Sequence, residues 1–388
     1  MEVRDLNYHK RRRDVREKLT AEGNQVLLVT EAQNRRYLSG FTGSAGWLVV
    51  APDNCFLITD GRYWDQVKKQ CADVELFRYL PSVHESLAGA LICLLKEEKL
   101  LAATNTLTLE TDGVSLATYR SLTEALQGED LHLSESSGLV TGLREIKDSD
   151  EVDILKKAAE IADRALSATL EKFQPGRREC DLKAELEYNI LRLGGTSTSF
   201  STIVASGPNG SYPHAGASQR VIGEGELITI DFGALYQGYC SDMTRTIWYG
   251  ELPEFERNVL FHTRKAQEAA LAVARSGIKA SELDSAARDY LQSVGLGEYF
   301  VHSLGHGVGL DIHESPGLRK TNDKPLLAHQ VVTIEPGVYV PGRTGCRVED
   351  TILLTHTGYE VINGYPKQRM DQTQPPLLED LKAHSSPG

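Results

Sequence analysis

Acidic residues set inside apolar runs constrain this chain more than any other feature. Asp231 lies in LITIDFG, Glu335 in VVTIEPG, Glu349 in CRVEDTILL and Asp242 in YCSDMT, while His306 sits between Gly305 and Gly307. A lone charge in such a setting is costly to bury, so carboxylates there pair with cations or bind metal. A fold that buries these strands must therefore carry the acids to a common cation. Asp231, Asp242, His306, Glu335 and Glu349 read as one set of oxygen and nitrogen ligands for two metal ions. Four carboxylates and one imidazole bring two divalent ions close to neutrality, and oxygen-rich sets favour Mn, Mg, Fe(II), Co or Zn over thiophilic metals.

The rest of the composition narrows the setting. A net charge of -12 over 388 residues argues against nucleic-acid binding, and the one basic cluster, KRRR at residues 10–13, reads as the solvated start of a helix. No apolar stretch reaches the roughly 18–20 residues needed to span a bilayer. The opening MEVRDLNYHK has no apolar signal core, so a cytoplasmic location is expected, with no membrane partner. Six scattered cysteines, none in a CxxC pair, read as reduced thiols.

Along the chain, residues 8–21 are charged and helix-like, residues 25–30 (QVLLVT) and 55–59 (CFLIT) read as buried strands, and residues 40–50 as a glycine-rich turn entering a strand. Helical patterns follow at 62–71 and 87–98. This alternation predicts a small α/β domain over residues 1–145. The texture changes near Leu143. Asp148 or Ser149 caps a helix whose apolar positions recur at Val152, Leu155, Ala159, Ala162 and Leu166. A second helix is expected at 180–194. Strands follow at 201–206, 227–232 and 239–249, helices at 254–276 and 281–294, and strands again at 331–335 and 347–355. Helices grouped between strands able to pair antiparallel predict an α+β catalytic domain over residues 146–370. The proline- and serine-rich tail, residues 371–388, is expected to fray.

Four segments carry the chemistry. Asp231 ends one strand and Asp242 opens the return strand, so both can point at one spot, although Asp beside Gly also caps turns. In VHSLGHGVGLDIHE, three histidines (His302, His306 and His313) are interleaved with glycines, which let backbone approach closely and supply groups suited to proton transfer near neutral pH. Glu335 closes an apolar strand, where desolvation disfavours its charge unless a partner is near. Glu349 lies in a strand-like alternation beside Arg347 and Asp350, where a surface ion pair is the plainer reading of that segment alone.

Taken in order and spacing, IDFGALYQGYCSDMTRT, GHGVGLDIHE, IEPGVY and RVED resemble the pita-bread metallopeptidases, which include methionine aminopeptidase, aminopeptidase P and prolidase. SYPHAGAS around His214 is similar to the family's upstream histidine segment. YLSGFTGSAGWLVV with TDGRYWDQV resembles the amino-terminal domain of its Xaa-Pro peptidases in particular. The resemblance runs over roughly residues 8–365. It implies a creatinase/aminopeptidase fold behind a creatinase-type N-terminal domain, a homodimer, and a pair of divalent ions, manganese first, with cobalt, zinc or iron as substitutes. It also implies that Asp231 binds one ion, that His306 and Glu335 contact the other, and that Asp242 and Glu349 bridge them around a shared hydroxide. Glu335 would shuttle a proton to the departing proline nitrogen, and His214 and His313 would steady the tetrahedral intermediate. His302 and Arg347 are further substrate or ligand contacts, and Tyr236 or Tyr239 would hydrogen-bond a bridging carboxylate.

An X-Pro amide has no N–H and a restricted preceding residue, so its cleavage calls for a dedicated site. The expected substrate is an X-Pro dipeptide, with N-terminal X-Pro peptides as the aminopeptidase alternative. Arg319, Arg343, Arg369 and, across a dimer, Arg62 are candidate anchors for the proline carboxylate. Metal-free creatinase-like hydrolysis and a non-catalytic peptide-binding module are disfavoured, because all five ligand positions keep ligand-capable side chains.

Overall fold

The computed structural model describes residues 6–100 and 105–367. The expected fraying tail, residues 371–388, and Arg369 lie outside them. The chain divides into two compact units, Met1–Arg144 and Glu145–Gly388. Among the described residues, no helix is long and apolar enough to cross a membrane.

In the first unit the apolar runs form a six-stranded mixed sheet. Its order is Glu75–Arg78, Cys55–Thr59, Trp47–Val50, Val26–Val29, Thr106–Glu110, His132–Ser136. Val26, Leu28, Val49, Phe56 and Ile58 face the helix Leu87–Glu97 through Leu91 and Leu94. The helix Tyr8–Ala21 starts where Asn7 accepts from the Lys10 amide, which satisfies one orphan N–H of its first turn. Several elements of this unit go beyond the sequence reading, among them two outer strands and one short helix. The outer strands Glu75–Arg78 (ELFR) and His132–Ser136 (HLSES) are short, carry polar residues at their ends and are incompletely buried, so neither presents a long apolar run. The short polar helix Ala32–Ser39 is closed by Gly40 at φ 76°, a left-handed cap that glycine adopts without strain.

The second unit pairs helices against strands twice. The helix Ser149–Leu170 begins with a reciprocal cap, in which Asp148 accepts from the Glu151 amide and Glu151 accepts from the Asp148 amide. This helix and Glu179–Arg192 pack Ile161, Leu166, Leu186 and Ile190 onto Ile228, Ile230 and Phe232 of the strand Ile228–Phe232. That strand is central in a sheet between Met243–Ile247 and Ile203–Ser206. The helices Glu254–Val273 and Ala280–Ser293 pack Val259, Ala266, Leu283 and Ala287 onto Val332, Ile334, Ile352 and Leu354. Those residues belong to a second sheet, ordered Glu314–Leu318, Gly305–Gly307, Val331–Ile334, Asp350–Leu354, Tyr359–Val361.

Strand alternation then decides where the acids point. Successive side chains alternate between the two faces of a strand. With Ile228, Ile230 and Phe232 turned to the helices, Thr229 and Asp231 turn the other way. With Val332 and Ile334 turned to the helices, Thr333 and Glu335 turn away from them.

Two expected strands are each broken into two. The stretch 239–249 is interrupted at Ser241 and Asp242, and 347–355 is interrupted at Val348 and Glu349. The cause in the second case is a change of partner. Thr344–Arg347 pairs with Gly337–Val340, whereas Asp350–Leu354 pairs with Val331–Ile334. Glu349 therefore sits at the crossing between ladders rather than inside a strand.

A buried arginine locks that crossing. Arg245 donates to the carbonyls of Thr244 (3.0 Å), Tyr365 (2.7 Å) and Glu349, and to Asp350 Oδ1 at 2.9 Å. Both members of the Arg245–Asp350 pair are buried, and Gln267 and Lys367 also reach Asp350 Oδ2. Removing one partner of a buried pair strands the other charge. Arg245→Ala is expected to lower the unfolding free energy by about 3–5 kcal/mol, the usual cost of such a break. Urea unfolding followed by circular dichroism checks this; a loss no larger than the roughly 1 kcal/mol of an exposed pair would contradict it.

Candidate metal centre

The acids enter the site from three directions. Asp231 is opposite Thr244 in the ladder between Ile228–Phe232 and Met243–Ile247. Asp242 lies two positions before Thr244, so the alternation of the pair puts it on the same face as Asp231. Glu349 arrives from the crossing between ladders, with its amide donating to the Thr244 carbonyl at 3.2 Å. One ligand atom each from Asp231, Asp242 and Glu349 lies within 4.8 Å of the others. The three residues are 9%, 4% and 1% exposed, so solvent does little to separate their charges.

His306 and Glu335 complete the group from the second sheet. His306 is the middle residue of the strand Gly305–Gly307, and Glu335 follows the strand Val331–Ile334. His306 Nε2 is 3.2 Å from Glu335 Oε1 and 3.6 Å from Asp242 Oδ2. Its Nδ1 is 3.0 Å from the Gly307 carbonyl. A carbonyl only accepts, so Nδ1 carries a proton and Nε2 is the atom turned toward the acids. Glycine is required on both sides, because a Cβ on Gly305 or Gly307 would run into the backbone of Thr333 or Ser315.

Hydrogen bonds orient most of these groups and leave specific atoms free. Thr244 Oγ1 donates to Glu349 Oε2 at 2.7 Å, and Thr333 Oγ1 donates to Glu335 Oε1 at 3.0 Å. Arg347 holds Asp231 Oδ2 and donates to Thr244 Oγ1 (3.1 Å) and Tyr339 Oη (2.6 Å). The other oxygens, Asp231 Oδ1 and Glu349 Oε1, are buried and accept no hydrogen bond among the described residues. Buried orphan carboxylate oxygens are disfavoured, and here they belong to residues gathered in one group of hard donors. That donor set suits two small divalent ions.

The electrostatics agree. Burial, reinforced by neighbouring acids, pushes the Asp242 and Glu349 carboxyls well above the usual carboxylate range. Asp231 is also raised by burial, although the Arg347 guanidinium beside it opposes the rise. Glu335 moves the other way. Burial pushes it up, but the hydrogen bond and charge of His306 outweigh that and hold it below its ordinary value.

The histidines line a cavity of about 550 Å³ with these acids. His313 packs edge-on against His306, with ring centroids 4.3 Å apart. His214 stands exposed at the wall formed by residues 213–216. His302 is fixed more tightly. Its Nδ1 meets the Ser303 carbonyl at 2.7 Å, and its Nε2 meets Tyr339 Oη at 2.9 Å. Arg347 donates to Tyr339 Oη, so the tyrosine hydroxyl is free to donate to His302. Burial pushes the Tyr339 phenol up to about 12 and pulls His302 down. Phe200, Ile203, Pro213 and Ile312 supply the apolar part of the wall.

Not every sequence expectation reaches this site. Tyr239 turns away from the acids and donates to Glu151 Oε1 at 2.8 Å, and Tyr236 meets Gln237 at 3.4 Å. The hydroxyl on a candidate bridging carboxylate is that of Thr244, which the strand alternation two residues after Asp242 could have revealed. Tyr339 was also missed, though it stands two positions from Gly337 in the same short strand. Arg62 belongs to the first unit, where it pairs with Asp60 at 2.9 Å. Arg343 is bound to Glu256 at 2.9 Å, and Arg319 is exposed.

Comparison with known proteins is consistent with this geometry over nearly the whole chain. Residues 153–356 match the model of metallopeptidase family M24, and residues 11–146 match that of the creatinase/prolidase N-terminal domain. An uncharacterized peptidase, YqhT, of Bacillus subtilis is 38% identical over 346 residues, which is 89% of this chain and 95% of that one. A solved Xaa-Pro dipeptidase from Bacillus anthracis superposes with a TM-score of 0.87 at 38% identity, covering 93% of this chain and 99% of that one. An X-Pro aminopeptidase from Thermotoga maritima gives 0.82 at 35% identity, covering 89% and 97%. This chain belongs to metallopeptidase family M24 and carries the creatinase/prolidase N-terminal domain ahead of its catalytic domain.

Proposed function

We propose that the chain is a metal-dependent Xaa-Pro dipeptidase whose two divalent ions are held by Asp231, Asp242, His306, Glu335 and Glu349. One observation carries the metal assignment: three nearly buried carboxylates converge with two oxygens that no described residue satisfies. Membership of a metallopeptidase family implies divalent ions, and the hard donor set supports manganese first, with cobalt, zinc or iron as substitutes. In this assignment Asp231 would serve one ion, His306 and Glu335 the other, and Asp242 and Glu349 would be shared between them. Bound there, the ions would supply Lewis acidity and activation of water at neutral pH.

The chain's own groups do the rest. Glu335 takes a proton from the attacking water and delivers it to the proline nitrogen as the bond breaks. That transfer matters because a tertiary amide offers no N–H to polarise the leaving group. His214 and His313 hydrogen-bond the carbonyl oxygen as charge builds on it. His302, locked by Tyr339, borders the substrate, and Arg347 orients Asp231. Phe200 and Ile312 give a prolyl ring apolar surface. A reducing cytoplasmic setting is supported by six free cysteines; a homodimer rests on the family resemblance alone.

The resemblance to an X-Pro aminopeptidase keeps a second reading open, in which longer peptides are cut. Metal-reconstituted protein assayed on Ala-Pro and Ala-Pro-Ala separates the two. The dipeptidase reading expects Ala-Pro to be cleaved with the higher kcat/KM; preference for the tripeptide would favour the aminopeptidase, and cleavage of neither would sink both. Asp242→Ala and Glu349→Ala are each expected to reduce kcat more than about 100-fold, beyond the loss typical of an outer hydrogen-bond partner. A folded variant with near-normal turnover would refute its bridging role.

A further inference from the structure

The loop carrying His214 is tied down by a residue outside the metal centre. Residues 207–217 leave the strand Ile203–Ser206 and return to a segment that pairs with the start of the helix Glu179–Arg192. Both feet of this loop meet a single carboxylate. Glu179 is fully buried. Its Oε1 accepts from the Ser206 amide (2.8 Å) and Ser206 Oγ (2.9 Å). Its Oε2 accepts from Asn209 Nδ2 (3.0 Å), the Ser218 amide (3.0 Å) and Ser218 Oγ (2.6 Å). Burial opposes ionisation, yet these donors outweigh it and hold the carboxyl below its ordinary value. The backbone adds two bonds at the base, from Cys180 N to Ser218 O (3.0 Å) and from Glu179 N to Arg220 O (3.0 Å). At the far end, Arg347 donates to the Pro213 carbonyl at 3.1 Å. The loop is thus held at its base by Glu179 and at its tip by the arginine that orients Asp231.

We propose that Glu179 is a positioning residue: by closing the base of the 207–217 loop, it fixes where the His214 imidazole stands over the cavity. The proposal rests on the substrate-binding role given to His214, but the clamp itself can be read without that role. Glu179→Gln tests it with almost no change in volume. A glutamine must turn an NH2 toward donors that already point inward, from Ser218 and Asn209 or from Ser206, so one foot loses its acceptor.

The experiment compares manganese-loaded wild type with Glu179→Gln, His214→Ala and the double variant. It measures hydrogen exchange of the 207–217 amides, bound manganese, and kcat and KM on Ala-Pro. In Glu179→Gln the loop amides are expected to exchange about tenfold faster or more, as for a segment opening locally, with bound manganese unchanged. kcat/KM should fall about 10–100-fold, the scale of a misplaced catalytic contact. On the His214→Ala background the same substitution should cost less than about threefold more, because coupled residues are non-additive. Unchanged loop exchange would overturn the clamp. Faster exchange with intact kcat/KM, or losses that simply multiply, would overturn the positioning role. Full activity in His214→Ala alone would remove the role of His214, and the positioning claim with it, while the exchange data still judge the clamp. Should Glu179→Gln fail to fold, Ser218→Ala removes one donor and should show the same pattern at smaller amplitude; its absence there would count against the proposal.

Discussion

Carboxylates crowded together away from water dominate the second unit. At Asp231, Asp242 and Glu349 burial and neighbouring acids disfavour the charge and Arg347 answers only part of it, whereas at Glu335 the contact with His306 outweighs burial. Such an arrangement persists because the surrounding structure holds it. Cation binding would turn the mutual repulsion of these groups into shared ligation, with protons released as ions enter.

What holds the arrangement is a doubled device. Two helix pairs each cover one face of a sheet, and strand alternation sends every second side chain to the opposite face. The ligand-type residues are those that cannot face the helices: Asp231 beside Ile230 and Phe232, and Glu335 beside Ile334. Arg245 and Asp350 then pin the point where the chain changes ladders, which sets the position of Glu349. Stability and chemistry thus share residues a few ångströms apart.

Much of this was legible from local sequence. The acid-in-apolar-run signal located the ligand-type residues because desolvation makes that pattern rare without a partner. Helix starts were legible where a cap marks them, as at Asp148. The failures share a cause. Tyr239 was a candidate for a bridging carboxylate, but its hydroxyl reaches Glu151, a partner 88 positions away. The break at Glu349 follows from a switch of strand partner, which no run of residues displays. Glu179 looks like an ordinary acid in a helix's first turn until the fold brings Ser206, Asn209 and Ser218 around it. Short edge strands with polar ends carry no long apolar run for a reader to find.

The most direct measurement is calorimetric titration of Mn(II) into chelator-stripped protein, for the wild type and for Asp242→Asn. The expected result is two ions bound per chain, with proton release and a rise in Tm, and loss of at least one binding event in Asp242→Asn. A wild-type chain that takes up no divalent ion, or that binds as well after the substitution as before, would contradict the convergence of these acids on a shared pair of cations.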